Sequence, residues 1–228
     1  MMSEIGRSRE VRRKVEETFD DISADFDRTR YKPWSECVRF ERTLERGMLV
    51  LDIGCGNGRN AIFLAERHRV IGLDISQNML AMARKNVALK RVGNRIELVR
   101  SDAVSIPLKD SCIDVGFYIA ALHHVARAEE RLECMKELRR VMKEGGRALV
   151  TVWAFDQPKF QLLLGQHMKC KKDFGNVEVP WKLRDGRKVK RFYHLFYGNE
   201  LKELALDAGF EVLDYSKSND NYHAVVKK

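Results

Sequence analysis

The stretch Met48-Leu49-Val50-Leu51-Asp52-Ile53-Gly54-Cys55-Gly56-Asn57-Gly58-Arg59 runs from apolar residues into a turn with glycine at every second position. A short apolar run cut off by glycine reads as a buried strand, and the helical spacing that resumes after Gly58 completes a strand, tight turn and helix start. Glycines in such a turn let a ligand approach free backbone N–H groups at a helix N-terminus without meeting a Cβ. The dinucleotide fingerprint G-x-G-x-x-G needs its third glycine at position 59, which is Arg59. The spacing present, G-x-G-x-G, argues against a nicotinamide cofactor.

Outward from this loop, residues 48–154 alternate β-branched runs with stretches of helical period, the pattern of βαβ units on a parallel sheet. Strands are predicted at 49–53, 70–74, 96–100, 113–119 and 147–153. Ser76 is placed to cap the helix carrying Met79, Leu80 and Ala83, and Gly145-Gly146 to stop the helix before the fifth strand. Right-handed crossovers make the sheet doubly wound. Upstream, Val15, Phe19, Ile22 and Phe26 predict a helix over 11–27, expected to cap the sheet edge, with Pro33 opening another. Segment 155–197 is expected to be irregular. Asn199 then caps a helix that stops at Gly209, and 210–215 with 223–226 form a closing hairpin. The chain is read as a single α/β domain: a helical cap at 1–47, a cofactor-binding core at 48–154, an insert at 155–197, and the closing helix and hairpin at 198–228.

Ligands bind outside the carboxyl ends of strands in open α/β sheets. Asp52 is placed to receive an ammonium group, Asp74 to accept hydrogen bonds from both hydroxyls of a ribose, and Ser101-Asp102-Ala103 to meet an adenine edge. Gly54, Cys55, Gly56, Asn57, Gly58, Ile75 and Ser76 complete the candidate cofactor residues. Each feature alone has an ordinary structural alternative, a common glycine turn or an Asp that caps. Together, L-D-I-G-C-G-N-G with Asp74 and Asp102 at successive strand ends resembles the class I S-adenosylmethionine-dependent methyltransferase family. The resemblance implies a Rossmann-like seven-stranded sheet. It also implies that Asp52 and the glycines hold the methionine moiety of S-adenosylmethionine, Asp74 its ribose and Asp102 its adenine.

Further combinations stand apart from the cofactor core: Arg30-Tyr31-Lys32-Pro33-Trp34, His123-His124, Trp153-Ala154 with Gln157, Val179-Pro180-Trp181 and Tyr193-His194-Leu195-Phe196. Read in order, from about Arg28 to Phe210, they resemble the eukaryotic tRNA methyltransferases that esterify carboxymethyluridine at the anticodon wobble position. Asp156 and the segment 125–131 depart from that family's pattern. The resemblance implies a tRNA anticodon stem-loop as substrate and a small zinc-binding activator subunit as partner, for which the third strand, an expected sheet edge, offers a docking site; the structural alternative is an edge protected against pairing by the charges of Arg95, Glu97 and Arg100. A carboxylate acceptor is ionised at neutral pH and needs no general base. Arg30 or Lys32 is expected to hold it, Tyr31, Trp34 or Trp153 to stack on a base, and His123 or His124 to orient the substrate, one of the pair pointing into the core. The structural alternatives are a helix-start turn for 30–34 and packing roles for Trp153 and Trp181. A small-molecule O- or C-methyltransferase is a competing reading, opposed by the basic insert. A catalytically silent RNA-binding subunit is another, opposed by the intact glycines and Asp74.

Lys and Arg number 42 against 33 Asp and Glu, a net charge of +9, which favours a polyanionic partner. The insert concentrates this charge in Lys169, Lys171, Lys172, Lys182, Arg184, Arg187, Lys188, Lys190 and Arg191, interleaved with aromatic residues. That combination suits RNA, with Lys188, Lys190, Arg191 and Trp181 as candidate contacts. The five cysteines are scattered, odd in number and without a C-x-x-C pair, so neither a disulfide framework nor a metal site is expected in this chain. No signal-peptide core or membrane-length apolar run is present in the sequence, and a soluble, cytoplasmic protein is expected.

Overall fold

The computed structural model describes residues 4–157, 160, 174–218 and 220–228. Lys169, Cys170, Lys171 and Lys172 lie outside the described residues. Helix α1 (Glu4–Thr29) and helix α2 (Ser35–Glu41) precede β1 (Leu49–Ile53), α3 (Arg59–Leu64), β2 (Arg69–Asp74), α4 (Gln77–Lys90), β3 (Ile96–Arg100), β4 (Ile113–Ile119), α5 (Ala128–Val141) and β5 (Met142–Trp153). A two-stranded antiparallel hairpin follows, β6 (Asn176–Lys182) with β7 (Lys188–His194). Helix α6 (Glu200–Asp207), β8 (Glu211–Ser218) and β9 (Asn221–Lys227) close the chain.

The main sheet has seven strands in the order β3-β2-β1-β4-β5-β9-β8, with β1 to β5 parallel and β9 antiparallel to both neighbours. Val50, Leu51, Asp52 and Ile53 are all essentially inaccessible, because both faces of β1 are covered. Leu51 and Ile53 point into the core shared with α5 and α6, whereas Val50 packs with Cys37, Phe40, Ala61 and Leu64 on the other face. The strand order reverses between β1 and β4, so the crevice opens at the carboxyl ends of these two strands.

Ser76 caps α4 as expected, its Oγ accepting from Met79 N at 3.0 Å. Gly209, at φ +86°, ends α6 as expected. Three readings are corrected. Gly145-Gly146 does not stop α5. Met142 turns extended at the end of that helix, and the glycines form a bulge inside β5, where the pairing jumps from Ile113 with Met142 to Val115 with Arg147. Helix α1 does not lie along a sheet edge. It crosses the mouth of the crevice, tied to the ends of β2 and β3 by Asp20 to Ser76 at 2.5 Å and Arg12 to Asp102 at 2.8 Å. The segment 155–197 is not irregular throughout, since Asp185-Gly186 turns β6 into β7.

Candidate active site

The loop after β1 is built by the combined demands of chain reversal and packing. Gly54 has φ +69°, and a Cβ there would meet the Ala121 Cβ at 2.3 Å, so both its backbone and its surroundings require glycine. Gly54 and Cys55 donate to the Leu73 carbonyl at 2.7 and 3.0 Å, and Gly58 donates to the Cys55 carbonyl at 2.9 Å. Gly56 donates to Asp74 Oδ2 at 2.8 Å. The N–H groups of Gly54, Cys55, Gly56 and Gly58 are therefore used internally, and at these positions the loop offers a ligand its glycine surface instead.

Asp74 accepts a second N–H, from Ser76, at 2.9 Å on Oδ1. Burial nevertheless raises its pKa to about 6, against these stabilising bonds. Asp52 lies beneath the loop. It is 1% exposed, and no described group hydrogen-bonds either of its carboxylate oxygens. Burial first, and then the charge of Asp74, push its pKa up to about 7, while Arg59 opposes the shift. An orphaned buried carboxylate below a glycine loop fits a cationic amino-acid moiety bound above it. Asp102 already has a partner: Arg12 holds Oδ2, and Val104 N donates to Oδ1 at 3.2 Å.

The cleft above the loop is lined by Gly54, Cys55, Gly56, Asn57, Asp74, Ile75, Ser101, Asp102 and Ala103 at one end. Arg30, Trp34, His123, His124, Trp153 and Arg191 line it at the other. Of the residues expected there, Asp52, Gly58, Ser76, Tyr31, Lys32, Trp181, Lys188 and Lys190 are not on its wall. Gly58 starts α3 and packs against Ala83. Ser76 is a buried cap. Tyr31 and Lys32 face outward, with Tyr31 71% exposed. Trp181 stands behind the wall against Phe26. Lys188 and Lys190 are on the outer face of the hairpin, Lys190 paired with Glu178 at 2.8 Å.

Both histidines reach the cleft, instead of one alone. Trp153 N–H donates to His123 Nδ1 at 3.1 Å, which places the proton of the neutral ring on Nε2. His124 has the opposite tautomer: its Nδ1–H donates to the Phe192 carbonyl at 2.8 Å, and burial lowers its pKa to about 4. One face of Trp153 is occupied by Tyr193, stacked at 4.3 Å, so only its remaining surface is open to a ligand.

Sequence reasoning missed Arg12, Phe19, Phe26, Arg59 and Tyr193 on the cleft wall. Arg12, Val15, Phe19 and Phe26 follow one helical face, so the pattern that found the helix also held its site residues. Arg59 entered only as a missing glycine. Its guanidinium lies 5.8 Å from the Phe26 ring centroid and 5.6 Å from that of Trp34. Arg191 was grouped with its lysine neighbours as a surface charge, but it is 8% exposed and points inward.

A crevice at the β1–β4 reversal, with a glycine loop, a backbone-clamped Asp74 and a buried unpaired Asp52, belongs to the S-adenosylmethionine-binding class of α/β folds. Comparison with known proteins agrees: residues 51–150 match the family described as a methyltransferase domain. The chain is 32% identical over 225 residues to a protein of Encephalitozoon cuniculi assigned as a methyltransferase, covering 95% of this chain and 96% of that one. It is 28% identical to the tRNA (carboxymethyluridine(34)-5-O)-methyltransferase of Schizosaccharomyces pombe, across 94% and 96% of the two chains. An S-adenosylmethionine-dependent methyltransferase from Methanosarcina mazei superposes with a TM-score of 0.74 at 20% identity, covering 86% of this chain and 98% of the other. The chain belongs to the class I S-adenosylmethionine-dependent methyltransferases, and within them it resembles the tRNA carboxymethyluridine enzymes.

Among the described residues no helix is long and apolar enough to cross a membrane, and no three potential metal ligands converge. Cys37, Cys55, Cys112 and Cys134 are free thiols.

Proposed function

We propose that this chain methyl-esterifies the carboxylate of 5-carboxymethyluridine at the wobble position of a tRNA anticodon. The observation that carries the reading is the charge of the cleft. Arg30, Arg59 and Arg191 all line it, and none has a carboxylate partner among the described residues. The carboxylate of a methyl donor of this class and that of a carboxylate acceptor would each find a guanidinium partner here, while the donor's ammonium lies over Asp52. The names of the relatives from Schizosaccharomyces pombe and Saccharomyces cerevisiae specify the same acceptor.

S-adenosylmethionine, when bound, supplies an electrophilic methyl group on a sulfonium. Asp74 suits its ribose, Asp52 its ammonium and the Asp102 segment its adenine, with the glycine loop underneath. The remaining work of the protein is orientation, because the acceptor oxygen is already anionic at neutral pH. The low pKa of His124 keeps that ring uncharged, so it positions by shape and hydrogen bonding. In-line alignment at about 3–3.5 Å is the main source of acceleration.

The outer face of the β6–β7 hairpin, with exposed Lys182, Arg184 and Lys188, is assigned to the tRNA backbone. The edge position of β3 suits addition of a strand from a small zinc-binding activator, and the reading places the pair in the cytoplasm. The test is mass spectrometry of nucleosides from tRNA incubated with the chain, the activator and labelled S-adenosylmethionine. Label is expected in a methyl ester on carboxymethyluridine; label on a ring nitrogen or ribose would overturn the proposal.

A further inference from the structure

Arg30, Arg59 and Arg191 line one cleft with no carboxylate partner among the described residues, and the structure sets Arg59 apart from the other two by position. Arg59 belongs to the cofactor-loop end, whereas the Arg30 guanidinium stands 5.6 Å from the centroid of the Trp181 ring on which Arg191 also stacks, at 4.6 Å. The Arg30 carbonyl accepts from Asn57 Nδ2 at 2.7 Å, which ties its backbone to the loop. Arg59 is the first residue of α3, directly after Gly58, and its charge acts on Asp52. Arg191 instead comes from β7. It is held against Tyr193, whose ring stacks on Trp153 and lies 5.0 and 4.5 Å from the rings of His123 and His124. Those residues follow β4 and end β5, at the opposite end of the cleft from the β2 and β3 termini.

We propose that Arg191 recognises the carboxylate of the methyl acceptor, with Arg30 beside it over the same Trp181 ring, leaving Arg59 for the carboxylate of the methyl donor. This inference rests on the proposed function and assigns its specificity to one side chain.

Arg191 is built for such a ligand. It is 8% exposed, its guanidinium lies 4.6 Å from the Trp181 ring centroid and 5.2 Å from that of Tyr193, and its Nη1 donates to Tyr193 Oη at 2.7 Å. Its Nε is buried with no hydrogen-bond partner among the described residues. The phenol thus fixes one corner of the fork, and the part of the guanidinium that lines the cleft remains for a carboxylate, a planar donor set in which arginine outperforms lysine. A buried guanidinium without a counter-anion is costly. Burial and the charge of Arg30 both lower its pKa, and an anion seated between them relieves both effects. On the hairpin, Arg191 pairs with Val179, between the pairs Val177–Tyr193 and Trp181–Val189. It therefore occupies an inward position where the strand pattern otherwise places apolar or aromatic residues.

The test uses the full chain saturated with S-adenosylhomocysteine and two tRNAs, with carboxymethyluridine or uridine at the wobble position. Wild-type protein is expected to bind the carboxymethylated tRNA more tightly. Arg191→Gln should abolish that preference, with kcat/KM for ester formation falling about 30-fold or more, while S-adenosylhomocysteine affinity and binding of the uridine tRNA stay at wild-type levels. Tyr193→Phe, a milder change that frees the fork, should reduce the preference without abolishing it. Arg59→Ala should instead weaken S-adenosylhomocysteine binding. The assignment is overturned if the Arg191 variant keeps the preference, if it binds both tRNAs more weakly to the same degree, as removal of a phosphate ligand would produce, or if it no longer binds the cofactor product. A wild-type chain that shows no preference and forms no ester would instead refute the proposed function itself.

Discussion

Asp52 and Asp74 lie at the ends of neighbouring parallel strands and are both buried, yet only Asp74 is clamped by backbone N–H groups at hydrogen-bond distance, the Ala61 N–H acting on Asp52 more weakly. Burial lifts Asp52 from 3.8 to about 7 and Asp74 from 3.8 to about 6. With folded pKa values above the unfolded ones, the native chain binds more protons than the unfolded chain between the two values. The stability they contribute is fully present below the unfolded value of 3.8 and is lost as pH rises through about 6 and about 7. A cation seated on Asp52 has the opposite preference, since it favours the carboxylate. S-adenosylhomocysteine, which carries the ammonium group, should therefore bind more weakly below about pH 7 and release protons when it binds near that pH. Titration calorimetry in buffers of different ionisation enthalpy measures the release directly; proton uptake would contradict the assignment of Asp52 to the ammonium. The acidic residues at the strand ends were legible because each follows a readable apolar run. Arg191 was not, because a run of basic residues hides the two-residue period of a strand. Lys188 and Lys190 share an outward side with each other, while Arg191 falls on the opposite side, with Val189 and Tyr193. The turn signal Asp185-Gly186 was the clue that would have separated them.

Helix α1 is held over the cleft by polar contacts at three levels. Arg12 reaches Asp102, Asp20 accepts from Ser76 and Asn78, and Asp27 Oδ1 accepts from Asn57 at 2.8 Å and Asn86 at 2.6 Å. Its apolar spacing announced the helix but not the surface it covers, since that surface is assembled from loops distant in sequence. The strands of the main sheet were more legible, because burial on both faces leaves continuous apolar runs. Asp27 joins the helix to both the cofactor loop and α4. Asp27→Ala takes one of two acceptors from each of two amide groups, Asn57 keeping the Arg30 carbonyl and Asn86 the Asn57 carbonyl, which should cost about 1 kcal/mol of stability and weaken S-adenosylhomocysteine binding through Asn57. Thermal melts with and without that ligand report both effects. An unchanged melting temperature and unchanged affinity would mean that α1 covers the cleft without helping to hold it.

At the scale of the whole molecule, a net charge of +9 attracts a polyanion, but its distribution decides which surface the polyanion meets. The β6–β7 hairpin has two kinds of basic residue on its exterior. Arg187 and Lys190 are paired with Asp185 and Glu178, at 2.7 and 2.8 Å. Lys182, Arg184 and Lys188 are exposed and form no ion pair among the described residues. The hairpin is also anchored to α1, with Arg184 N donating to Asp25 Oδ2 at 3.0 Å. Phosphates bound along its outer face would thus lie beside the roof of the cleft, while Arg191 on its inner face would meet the acceptor carboxylate. Each phosphate left without its cationic side chain should flatten the dependence of log affinity on log salt by roughly 0.7–0.9. Replacing Lys182, Arg184 and Lys188 together by Gln is expected to reduce the slope for tRNA by about 2. Discrimination between carboxymethylated and unmodified tRNA should persist, because it belongs to the inner face. A wild-type slope in the triple variant would move the RNA-binding surface off the hairpin, and abolished discrimination with an unchanged slope would show that the two faces do not act separately.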